Sequence, residues 1–114
     1  MVKDMDITQE IRYKMKLLDA SVRELAKTGR EYANAYTNYR VALAKELVKL
    51  KDEGYAITLA SDIARGKPEI AKLKFEEISK EAVYKANQET INAIKIEIKV
   101  IQEQINREWG ASNE

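Results

Sequence analysis

The chain contains neither cysteine nor histidine. Without cysteine it can form no disulfide and offers no thiolate to a metal. Without histidine the commonest general base, the Ser–His and Cys–His nucleophile pairs, and imidazole metal ligation all fall away. Proline occurs once and glycine four times. So few helix breakers argue against a turn-rich β-sandwich and against low-complexity disorder. An excess of one charge is missing too, since 20 basic and 19 acidic side chains leave a formal net charge of +1. That balance gives no long-range steering toward nucleic acid or anionic lipid, although a local basic stripe remains compatible with it. No apolar run approaches the ~20 residues that span a bilayer, so no membrane partner is expected. The opening MVKDMDITQE is polar and lacks a secretory signal pattern, so the expected compartment is the cytoplasm.

What is present is helical periodicity. The composition predicts one all-α domain over residues 1–114. Asp6, with Gln9 three residues on, has the spacing of a capping box and opens a long helix at about 6–52. Apolar or semi-apolar residues recur at Ile7, Ile11, Met15, Leu18, Val22, Leu25, Tyr32, Tyr36, Tyr39, Leu43, Leu47 and Leu50, in spacings of three and four. From Met15 onward this approaches a heptad register, with Gly29 in one core slot. Glu24, Thr28, Glu31, Asn38, Glu46 and Lys49 fall on the opposite side. Lys49 and Lys51 suit the last turn, and Gly54 suits the stop.

A short helix follows at about 58–65, capped by Thr58 and ended by Gly66. Pro68 then opens a second long helix, where its missing N–H is harmless, running to about residue 109. Gly110 marks its end and residues 111–114 form a polar tail. Within this helix Ile94–Val100 alternates and is β-branched, which is the signature of a strand. Because helical spacing continues on both sides with no turn residue, the segment reads as helix. The predicted architecture is an antiparallel coiled-coil helical hairpin with a short connecting helix, assembling into a helical bundle. If facing residue numbers add to about 120, Leu50 meets Ile70, Tyr36 meets Tyr84 and Ile11 meets Trp109.

The two long helices differ in character. Positions at 100° steps give the first helix one apolar stripe and the last helix two. One stripe of the last helix is Leu73, Val83, Tyr84, Ile91, Ile94, Ile98, Ile101, Ile105 and Trp109. The other lies half a turn away: Ala71, Phe75, Ile78, Ala82, Ala86, Ala93, Ile96 and Val100. A single first helix covers one of these. The remaining face, from Phe75 through Ile78, Ala82, Ala86, Ala93 and Ile96 to Val100, predicts an interface with a second copy, a dimer above all, or with another protein.

Other constellations are weaker. Tyr32, Tyr36 and Tyr39, beside Arg30 and Arg40, could stack bases, but by period they fall on the buried face and read as a semi-polar core layer. The segment after Thr58 has the rhythm of a helix-turn-helix, with local positive charge offset by Asp62, Glu69, Glu76 and Glu77. A direct nucleic-acid contact would use Arg30, Arg40, Lys45, Lys49, Arg65, Lys67, Lys72 and Lys74. Glu76, Glu77 and Glu81 invite comparison with magnesium-binding all-α nucleotide pyrophosphohydrolases, but the spacing is displaced and no second acidic motif answers it. They read as a solvated face with Glu76–Lys80 and Glu77–Glu81 neighbours. No catalytic residues, metal or cofactor are expected.

Four stretches, IRYKMKLLDASVRELAKTGREYA, YRVALAKELVKLKDEG, IARGKPEIAKLKFE and INREWG, carry a resemblance. Together they resemble small, uncharacterised helical proteins encoded by bacteriophages and prophages of Gram-positive bacteria. The resemblance covers nearly the whole chain and transfers no catalytic motif. It implies a phage protein in the cytoplasm of a bacterial host, accessory to nucleic-acid metabolism or acting in counter-defence, with a host or phage protein as partner.

Overall fold

The computed structural model describes the backbone of residues 6–113 and the side chains of residues 6–110. The described residues form three α-helices, α1 (Ile7–Asp52), α2 (Ile57–Gly66) and α3 (Pro68–Asn113), and no strand. Ile94–Val100 is helical throughout: its alternation is outweighed by helix-forming sequence on both flanks.

Local chemistry sets most of the helix ends. Asp6 and Gln9 form the reciprocal capping box, with the Gln9 amide donating to Asp6 Oδ1 at 2.8 Å and the Asp6 amide donating to Gln9 Oε1 at 3.3 Å. At the other end of α1, Gly54 takes φ +97°, the left-handed conformation that glycine adopts without a β-carbon clash. The Gly54 amide then donates to the Lys51 carbonyl and the Tyr55 amide to the Leu50 carbonyl, the paired bonds of a Schellman stop. Pro68 occupies the first position of α3, as its spacing predicts.

Two ends depart from expectation. The N-cap of α2 is Ala56, with no side-chain cap, and Thr58 lies inside the helix. The last helix passes through Gly110 to Asn113, so residues 111–113 of the expected tail are helical, while 114 lies outside the described residues. Gly110 does not take a positive φ. Inside a helix glycine costs only about 1 kcal/mol, too little to stop one alone.

The chain divides into two compact units. The first draws on residues up to Ala26 and from Lys85 onward; the second is Lys27–Tyr84. In the second unit Tyr39, Leu43, Leu50, Ala60, Ala64 and Ile70 form one buried cluster, with Leu47, Ile63 and Leu73 packed on it. The alanines of α2 are nearly inaccessible there, so α2 packs closely on the end of α1. This displaces the expected pairing. With α2 occupying that space, α3 begins beside Glu46, which pairs with Lys67, and Tyr84 stacks near Tyr32, not Tyr36. The ring centroids of Tyr32 and Tyr84 are 6.0 Å apart. In the first unit Lys14 pairs with Glu97 at 2.6 Å, and the Asn87 side-chain amide donates to the Ser21 carbonyl at 3.1 Å. Ile91, Ile94 and Ile101 are its buried side chains.

Several core assignments change. Met15, Val22, Tyr36, Val83 and Trp109 are exposed. Trp109 borders a cavity with Ile7, Thr8, Ile105 and Glu108. Thr28, expected on the outer face, is only 4% exposed.

Candidate functional site

Two surfaces carry the residues that the sequence singles out. The first is the second apolar stripe of α3. Phe75, Ile78 and Ala82 belong to one unit, and Ala86, Ala93, Ile96 and Val100 to the other. All seven are exposed. Phe75 is 68% and Ile96 64% accessible, whereas Ile94, two residues from Ile96, is 6% accessible. A helix turns each successive side chain by 100°, so the alternating isoleucines that mimic a strand pattern here separate onto buried and open faces. Among the described residues no large side chain is completely buried.

The second surface is basic. All eight candidate nucleic-acid residues lie in the Lys27–Tyr84 unit. Lys67 is engaged by Glu46, and the hydrogen bond raises its pKa above the ordinary lysine value. Lys74 donates to Glu77 at 2.8 Å, which likewise raises its pKa, and sits 4.8 Å from the centre of the Tyr39 ring. Arg30, Lys45, Lys49 and Lys72 are exposed. Arg40, Arg65 and Lys74 are brought together. They come from α1, α2 and α3 respectively and line one cavity of about 470 Å³ with Tyr39, Leu43 and Ala71.

The acidic residues of α3 are not a freely solvated face. Glu77 is 8% exposed and bound by Lys74. Glu81 accepts the Tyr32 hydroxyl at 2.7 Å, which raises the Tyr32 pKa above the ordinary phenol value. Lys80 lies 3.6 Å from Glu31 across α1, not paired with Glu76 on its own helix. Packing against α1 thus gives Lys80 and Glu81 partners that i,i+4 spacing does not foresee. Among the described residues no group of three or more acidic side chains is arranged to hold a metal ion. No described helix is long and apolar enough to cross a membrane.

Sequence reasoning located the open face of α3 but missed the three-helix cavity. Arg40, Arg65 and Lys74 are far apart in the chain, and no local spacing connects them. No family model, curated protein or solved structure matches this chain.

Proposed function

We propose that the protein is a non-enzymatic interaction protein that self-associates, as a dimer of antiparallel coiled-coil hairpins, through the second apolar stripe of α3. The observation that carries this reading is the exposure of Ile96 and Val100 beside buried Ile94 in one unit, with Phe75 and Ile78 likewise exposed in the other. A role in phage nucleic-acid metabolism or counter-defence rests on the sequence resemblance alone and extends the same proposal.

Light scattering tests it. The wild type is expected to have a mass above that of one chain. Ile96→Lys with Val100→Lys places ammonium groups where an apolar partner would bury them, which is prohibitive, so the assembly dissociates while helix content is retained. A monomeric wild type, or an assembly indifferent to both lysines, overturns the proposal.

A second reading, direct nucleic-acid binding, is favoured by the meeting of Arg40, Arg65 and Lys74 at one cavity. Fluorescence titration with single- and double-stranded DNA distinguishes it. Micromolar binding that weakens steeply with salt supports this reading, and no binding at low salt rejects it.

A further inference from the structure

The cavity between α1, α2 and α3 has an electrostatic imbalance. It is lined by Tyr39, Leu43 and Ala71 together with three cationic residues, Arg40, Arg65 and Lys74. Lys74 is neutralised by Glu77, and Lys67, next to the α2–α3 junction, is neutralised by Glu46. Those pairings engage two carboxylates near the site. Arg40 and Arg65 are left lining the same cavity, with no ion pair or hydrogen bond to any described residue. Asp62, one turn before Arg65 on α2, forms no ion pair with it among the described residues.

Two arginines lining one concavity bring like charges to one site, and an anion bound between them is attracted to both. Arginine suits this role because its planar fork of N–H donors matches phosphate oxygens in a bidentate arrangement, and it stays charged at any accessible pH. The position of Arg65 in the last turn of α2 is satisfied by the helix dipole alone, but that does not account for Arg40, which lies mid-helix in α1. The volume of about 470 Å³ lies within the range of about 300–1,000 Å³ typical of small-ligand sites. It therefore admits a phosphate group together with part of the molecule that bears it. The apolar walls of Leu43 and Ala71 offer that remainder a nonpolar surface.

We propose that the cavity formed by Arg40, Arg65 and Lys74 is a phosphate-binding site. Arg40 and Arg65 grip the phosphate oxygens from two helices. Lys74, held over the Tyr39 ring by Glu77, supplies the third wall. The site lies wholly within the Lys27–Tyr84 unit and does not depend on self-association through α3.

The test is thermal unfolding and calorimetric titration with three probes: inorganic phosphate, a nucleoside monophosphate and a short single-stranded oligonucleotide. Chloride at matched ionic strength is the reference. The expected result is a rise in Tm with inorganic phosphate beyond the chloride reference, abolished in the double variant R40Q/R65Q. The exposed Arg30→Gln variant should retain it. R40K/R65K, which keeps the charge but not the fork, should weaken binding about tenfold or more without abolishing it. Because Arg40 and Arg65 are exposed, the variants are expected to keep wild-type helix content, checked by circular dichroism. Tighter binding of the monophosphate than of the oligonucleotide identifies a small phosphorylated ligand. Tighter binding of the oligonucleotide, with a steep salt dependence, identifies a polynucleotide backbone as the source of the phosphate. No stabilisation by any probe, or stabilisation that R40Q/R65Q retains, overturns the proposal.

Discussion

The edge of the Tyr84 ring on α3 passes 3.1 Å from the point where a β-carbon on Gly29 of α1 would stand. Two effects oppose each other at that position. Alanine is favoured over glycine in a helix interior by about 1 kcal/mol. A methyl group at 3.1 Å requires the ring to yield by a few tenths of an ångström. Tyr84 is half-buried and packs loosely on Tyr32, so the ring can move at small cost. Gly29→Ala is therefore expected to stabilise the protein by less than about 1 kcal/mol. Gly29→Val displaces the ring outright and is expected to cost about 1–3 kcal/mol, the usual range for overpacking. Denaturant unfolding of the two variants checks both signs.

Stability should fall in alkali. The hydrogen bond to Glu81 raises the Tyr32 pKa above 10.0, and hydrogen bonds to Glu97, Glu46 and Glu77 raise those of Lys14, Lys67 and Lys74 above 10.5. In every case the folded pKa exceeds the unfolded one. The contribution is thus fully present below the unfolded values and is lost as pH rises through the folded ones. Tm is expected to be insensitive to these groups at neutral pH and to decline above about pH 10. Ultraviolet absorbance of phenolate isolates one group: the component missing in Tyr32→Phe should titrate later than free tyrosine. Glu81→Gln should move that component to lower pH. An unchanged Tyr32 component in Glu81→Gln would contradict the assignment.

Ile94 and Ile96 separate folding from association. Ile94 is buried in its own chain, so Ile94→Ala should cost about 2–5 kcal/mol at any protein concentration. Ile96 is open, so Ile96→Ala should stay within about 0.5 kcal/mol in dilute solution. Under the proposed self-association, its cost should grow at concentrations where copies assemble, because a partner that binds only the folded chain stabilises it. Thermal melts across a range of concentrations distinguish the two. A concentration-independent loss at Ile96 would place it in the core of the single chain.

The sequence by itself determined what depends on neighbours within one helical turn. The Asp6–Gln9 box, the Gly54 stop and the Pro68 start are local hydrogen-bonding and φ preferences, legible as spacings and present as expected. So is the second apolar face of α3, which follows from 100° per residue and needs no knowledge of what covers it. Tertiary structure decided the rest. Packing of Ala60 and Ala64 against the end of α1 placed the start of α3 beside Glu46, and so placed Tyr84 at Gly29 and Tyr32. It buried Thr28 and Glu77, left Tyr36 and Trp109 open, and set Arg40, Arg65 and Lys74 around one cavity. Helical periodicity specifies which side chains share a face, but the partner of each face depends on how far one helix slides along another. That slide is set by the fit of side chains distant in the chain, here the small alanines of α2, and no local spacing records it.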